Sequence, residues 1–220
     1  MKMENIKKEN KFLLLLFTFA LLLIVVPFLG NSSRDWEIQA FYCIILVTAI
    51  YALRKHKRHF IFSSFFVLSG CSLQLVNLIT CSTIYGILGS SFYLCFYFIF
   101  IQAILNDVMK AHKVTRDSFC GAICAYFMIA IFFNTIYGII EYFAPGSFAQ
   151  MSIENDNETQ DLLYFSFMTL TTVGYGDIVP VGKHAKSFVI IEGITGVFYI
   201  GILVSHLMGG LAKSKVEDGN

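Results

Sequence analysis

Charge is scarce in this chain: Asp, Glu, Lys and Arg supply 14% of its 220 residues, against roughly 25% in soluble domains. With 56% of residues hydrophobic, a water-soluble fold lacks the polar surface it needs. A basic stripe or face is missing too, and the formal net charge is only +1, so no nucleic-acid partner is expected. Nor does the chain show the poverty in aromatics that marks disordered proteins, since it carries 23 Phe. An integral membrane protein remains.

Cysteine spacing excludes two further classes. Cys43, Cys71, Cys81, Cys95, Cys120 and Cys124 all lie in apolar stretches, with neither a secreted disulfide framework nor CxxC spacing. Cys120 and Cys124 share a helix face, but two thiols do not complete a tetrahedral site, so they read as packing residues. No cofactor is expected.

Crossing about 30 Å of hydrocarbon takes about 20 mostly apolar residues. Runs of that kind place six spans: Phe12 to about Gly30, Trp36 to Leu53, a hairpin within Phe60 to Asn106 turning near Thr80 to Thr83, Ser118 to Phe143, and Ser187 to Ala212. The first has lysines before it, as a signal peptide would. Its long core and the absence of a small-x-small cleavage site at Phe28 to Gly30 favour a retained helix.

Positive charge orients these spans, because cytoplasmic loops carry the excess of Lys and Arg. With the N-terminus inside, 13 of the 16 fall on the cytoplasmic side, leaving Arg34, Lys183 and Lys186 outside. The expectation is a multi-pass protein of the cell membrane with both termini cytoplasmic. Residues 1–11 and 213–220 then form short tails, which leaves the given sequence no room for a nucleotide-binding or calcium-sensing domain.

Between the fifth and sixth spans the pattern changes. An acidic stretch from Ser147 to Asp161 contains Glu154, Asp156, Glu158 and Asp161. It is either a solvated loop or a means of concentrating cations at a mouth. Asp161 to Thr171 follows, enough for about three helical turns or about 16 Å, so it can enter the membrane without crossing. Then comes Thr172-Val173-Gly174-Tyr175-Gly176-Asp177. Non-helical backbone at membrane depth is tolerated only where protein buries it or water reaches it. A re-entrant pore loop meets that condition. Gly174 and Gly176 supply backbone angles closed to residues with a Cβ, which lets successive carbonyls turn the same way.

Thr172 to Asp177 resembles the selectivity-filter signature of potassium channels. Pro180, three residues beyond, and Gly196, where that family places an inner-helix hinge, extend the resemblance, as do Glu141 and Ala144-Pro145-Gly146 upstream. It covers about Ser118 to Leu211, and the first four spans match by helix count only. The resemblance implies an all-α membrane protein with a re-entrant pore helix and filter between helices 5 and 6, assembled as a fourfold homotetramer. Residues 118–212 would be the pore domain and 12–117 a four-helix region. K⁺ would sit at Thr172, Val173, Gly174 and Tyr175, whose carbonyls, with the Thr172 hydroxyl, replace its hydration shell. Val173 and Tyr175 would send their side chains into pore-helix packing. The pore helix would aim its negative C-terminal end at the ion path.

The pore helix departs from the family at Tyr164, where many members have a Trp that donates to the filter aspartate. A phenol can still donate to Asp177. Met168 stands where some bacterial members carry a bracing carboxylate. On the sixth span, Ile200, Val204 and Met208 recur every four residues below Gly196, and the resemblance turns them toward the pore, where an apolar ring closes a pore by dewetting. An isolated helix would instead show lipid or a neighbour the same stripe. Glu192 is a carboxylate inside an apolar span: either a functional group or a hydrogen-bonding partner for the back of the pore helix. His206 is either a sensor of internal pH or an interfacial packing residue.

From Phe60 to Asn106 there is no Lys or Arg. Each elementary charge moved through 100 mV contributes about 2.3 kcal/mol, so an uncharged fourth helix excludes a standard voltage sensor. The expected function is passive, K⁺-selective conduction, with K⁺ and membrane lipids as partners. The alternatives are a non-conducting regulatory subunit or a weakly selective cation channel. Glu141 and Glu192 lack the nucleophile, base or metal constellation of an enzyme, and the absence of a second filter-like segment argues against an inverted-repeat transporter.

Overall fold

The computed structural model describes residues 11–25, 35–55, 57–80, 82–110, 116–150 and 158–218. The elements run α1 (Lys11–Val25), α2 (Asp35–Ala52), a 3-10 turn (Leu53–Lys55), α3 (Lys57–Thr80), α4 (Thr83–Lys110), α5 (Arg116–Phe143), β1 (Phe148–Ala149), α6 (Glu158–Leu170), β2 (Val179–Pro180) and α7 (Lys183–Asp218). Among the described residues four helices, α3, α4, α5 and α7, are long and apolar enough to cross a membrane, while α1 and α2 contain shorter apolar segments. Two compact units divide at Phe127 and Met128, inside α5.

In the first unit, α1 buries one stripe, Leu15, Phe19 and Leu22, at the spacing of a single helix face. The long uncharged run breaks between Thr80 and Thr83, where the sequence reading puts a turn, and Tyr85 N donates to Ser82 O at 3.0 Å in the first turn of α4. Glycines bring α3 and α4 close. A Cβ on Gly70 would stand 2.6 Å from the Tyr93 ring, and one on Gly89 would stand 3.2 Å from Gly70 O. Lipid offers no hydrophobic drive for helices to associate, so small residues that permit close approach supply the packing instead. The start of α1 is tied to the start of α5: Phe12 N donates to Asp117 Oδ1 at 3.2 Å, and the Phe12 ring covers Gly121.

The second unit holds the latter part of α5, then α6, the loop after it, and α7. Phe133 and Tyr137 of α5, Phe148 of β1 and Phe165 of α6 form an aromatic cluster with centroids 5.1 to 6.2 Å apart. The strands pair antiparallel, Phe148 with Pro180 and Ala149 with Val179.

α7 runs on to Asp218, past Ala212. Loss of hydropathy marks where a helix leaves lipid, not where its hydrogen bonding must stop, and Leu211 to Asp218 contains neither Gly nor Pro. Arg34, Glu154, Asp156 and the side chain of Met208 lie outside the described residues. No disulfide joins the cysteines among the described residues.

Candidate functional site: the loop after α6 and its supports

α6 ends at Leu170 because the chain turns back over its own last carbonyls. Thr172 N donates to Thr169 O at 3.0 Å, and Met168 O accepts from Val173 N at 3.0 Å and Gly174 N at 3.1 Å. The Thr171 hydroxyl donates to Phe167 O at 2.6 Å. Side-chain and backbone donors thus satisfy carbonyls that the helix end leaves without intrahelical partners.

From there every second residue is left-handed: φ is 61° at Thr172, 53° at Gly174 and 78° at Gly176. Alternation of this kind reverses the flip between neighbouring peptide planes that extended backbone would have, so successive carbonyls gather toward one side. Glycine takes such angles without strain, whereas Thr172 meets a Cβ penalty of about 1–2 kcal/mol that its surroundings must offset. Val173 and Tyr175 are 50% and 72% exposed, so the packing expected around their side chains is not completed within the single chain.

Both flanks of the loop are anchored. At its outer end Tyr164 Oη donates to Asp177 Oδ2 at 2.6 Å, and Asp177 Oδ1 accepts from Ile178 N at 3.1 Å. The phenol hydrogen bond is the chief cause that holds the Asp177 carboxyl below its ordinary value, and the same bond raises the Tyr164 hydroxyl to about 12. Beyond Asp177, Ser147 O accepts from Val181 N at 2.8 Å and Gly182 N at 3.1 Å. Glu141, at the end of α5, accepts from Gly146 N at 2.5 Å and Phe148 N at 3.2 Å. A carboxylate binding two backbone N–H groups fixes that turn with charge-assisted bonds.

On the inner side, α6 and α7 meet in two successive rungs. In the first, Glu192, fully buried, takes the Tyr137 hydroxyl on Oε2 and contacts Ser166 Oγ with Oε1. Ser166 Oγ also donates to Ala130 O at 2.8 Å. In the second, a Cβ on Gly196 would lie 2.2 Å from Leu170 O. Residues 166 and 170 on α6 face 192 and 196 on α7, each pair one turn apart. Sequence reasoning allowed Glu192 a hydrogen bond to α6 but missed Tyr137, and it took Gly196 for a hinge without seeing the carbonyl against it. α7 is continuous helix through Gly196. Ile200 and Val204 are 46% and 52% exposed, and His206 is half-buried. Among the described residues, no group of three or more His, Cys, Asp or Glu could hold a metal ion.

A short helix, a loop of alternating left-handed backbone and a long apolar helix thus follow one another along the chain. The family described as "Ion channel" (Ion_trans_2) matches residues 123–211. The potassium channel protein kcv of Paramecium bursaria Chlorella virus 1 is 37% identical over 78 residues, covering 34% of this chain and 82% of the viral protein. The voltage-gated potassium channel Kch of Escherichia coli is 40% identical over 60 residues, 26% of this chain and 14% of Kch. Two pore potassium channel c of Oryza sativa is 39% identical over 72 residues, 32% of this chain and 16% of the rice protein. The match therefore spans about a seventh of the length of these last two relatives. No solved structure matches the chain. The chain belongs to the potassium channel family.

Proposed function

We propose that this chain assembles as a homotetramer in the cell membrane and conducts K⁺ selectively and passively, without covalent chemistry or a cofactor. The observation that carries the reading is the alternating left-handed backbone at Thr172, Gly174 and Gly176 within Thr-Val-Gly-Tyr-Gly-Asp. Four such loops around one axis would offer rings of carbonyls from Thr172, Val173, Gly174 and Tyr175 in place of water. The exposed Val173 and Tyr175 side chains would then pack against the pore helix of the adjoining subunit. Residues 118–212 act as the pore domain and 12–117 as a four-helix region outside it. Residues 1–11 and 213–220 lie in the cytoplasm.

Six spans follow from the same reading. The contact between Phe12 N and Asp117 supports it, because helices that start on one side of the membrane are separated by an even number of crossings, here α1 to α4. Below the filter Ile200, Val204 and Met208 line the path, and Gly196 lets α7 approach α6 and bend in opening. With no Lys or Arg from Phe60 to Asn106, opening is not steeply driven by charges in the fourth helix.

Recording purified protein in planar bilayers under asymmetric KCl and NaCl, with voltage and internal pH varied, tests this. The expected reversal potential lies near that of K⁺. A reversal potential that treats Na⁺ as K⁺, or a monomer in a native-like bilayer, overturns the proposal. Tetramers that pass no ion would point to the regulatory-subunit alternative.

A further inference from the structure

Glu192 is buried completely on α7, and the hydrogens available around it can be counted. Three oxygen–oxygen contacts converge there: Tyr137 Oη with Glu192 Oε2, Ser166 Oγ with Glu192 Oε1, and Ser166 Oγ with Ala130 O at 2.8 Å. Ala130 O is an acceptor only, and the two hydroxyls bring one hydrogen each. If Glu192 were a carboxylate, two hydrogens would have to serve three contacts. Ser166 could then satisfy Glu192 or Ala130 but not both, leaving two oxygen lone pairs facing each other at hydrogen-bonding distance. A third hydrogen on Oε1 removes the conflict. Tyr137 donates to Oε2, Oε1 donates to Ser166, and Ser166 donates to Ala130, each bond with one donor.

The charges on the surrounding elements point the same way. A buried carboxylate is tolerated when a cation pairs with it, and the packed elements bring none. α5 from Met128 to Phe143 contains no Lys, Arg or His, and its titratable groups are Tyr137, Glu141 and Tyr142. α6 contains Glu158, Asp161 and Tyr164, again with no cation. On α7 itself the nearest basic side chain is Lys186, about 9 Å away along the axis at 1.5 Å per residue, and His206 stands about 21 Å below.

We infer that Glu192 holds a proton within the membrane and, as a neutral acid, forms a hydrogen-bonded clasp that positions the back of the pore helix against α7 and α5. Ser166 lies one turn from Leu170, whose carbonyl rests on Gly196, so the clasp fixes the register in which α6 presents the loop that follows. Glu192 is a positioning residue and touches no ion. Its effect on permeation rests on the channel reading above, whereas its protonation does not.

Infrared spectroscopy of the full chain in potassium-loaded liposomes at neutral pH, paired with K⁺ flux on the same vesicles, separates the two. A carboxylic-acid C=O band is expected that disappears in Glu192→Gln and shifts in Ser166→Ala, which removes the group that its O–H meets. Flux is expected to fall in Glu192→Ala and to be regained in Glu192→Gln, whose neutral amide keeps one donor and one acceptor. Should Glu192→Gln fail to assemble, the Ser166→Ala shift decides alone. A spectrum with carboxylate signals only, or an acid band indifferent to Ser166→Ala, overturns the inference. The band without any K⁺ flux in the unaltered protein supports the inference and overturns the channel reading instead.

Discussion

Replacing Gly196 by alanine adds one methyl at the point where α7 lies closest to α6. That carbon would stand 2.2 Å from Leu170 O and 3.0 Å from Leu170 C, so the helices must part by roughly 1 Å or more to restore van der Waals contact. The obstacle is backbone, which cannot rotate aside as a side chain would. Overpacking of this kind costs about 1–3 kcal/mol, while alanine's helix preference over glycine returns about 1 kcal/mol. The net change is a loss of about 0–2 kcal/mol. Gly193 and Gly201 give the comparison, since a Cβ there meets nothing within 4 Å and alanine should be worth about 1 kcal/mol in the favourable direction. At about 2–4 °C per kcal/mol for a chain of this size, Gly196→Ala should melt roughly 2–12 °C below Gly201→Ala. Thermal denaturation of the purified protein in K⁺ reads that gap, and K⁺ flux should fall in Gly196→Ala because Leu170 directly precedes the loop proposed as the filter. Should Gly196→Ala melt level with or above Gly201→Ala, the close approach is not a constraint, and bending alone would account for the glycine.

Three other expectations follow from the proposed filter and its anchors. Tyr164→Phe removes the donor to Asp177 and should speed the loss of conduction during sustained opening; unchanged kinetics in single-channel records would eliminate the brace. Acid should act on the same contact with a defined sign. The bound phenol holds the Asp177 carboxyl below its ordinary 3.8, so the brace is present at neutral pH and is lost only as external pH falls through that lowered value. Tyr164→Phe lacks the brace at every pH and should not show this acid-dependent step, and identical acid titrations of conduction in the two proteins would refute the linkage. Gly174→Ala places a Cβ at φ 53°, a penalty of about 1–2 kcal/mol in each subunit of the proposed tetramer; it should abolish K⁺ selectivity in bi-ionic recordings, and a variant that still excludes Na⁺ would show that the left-handed angle is not needed.

Features of this chain set by local composition were open to reading, and those set by long-range register were not. Uncharged runs located the helices, and Thr80 to Thr83 stood out as a break because a run from Phe60 to Asn106 is too long for one crossing. The left-handed backbone at Gly174 and Gly176 was legible since these glycines answer a backbone need that neighbouring residues alone define. Tyr164 and Asp177 could be paired because they flank one short loop. Tyr137 could not be assigned to Glu192, 55 residues away: a tyrosine among the apolar residues of α5 looks the same whether its hydroxyl faces a headgroup or a buried acid. The carbonyl against Gly196 was invisible for a similar reason, since helix-packing register depends on which faces meet. The end of α7 was missed because hydropathy is silent about helix beyond the lipid.

The two-residue bridge between Phe148–Ala149 and Val179–Pro180 makes everything between it a cassette whose two ends are already joined. Since Glu141 secures the entry and Ser147 grips the exit, lengthening the chain ahead of α6 should cost little, because loop closure grows only with the logarithm of length. Epitope tags or grafted toxin-binding turrets spliced there should leave permeation intact. The same segment, lifted whole between its two anchors, is the natural unit for building chimaeras with related pores.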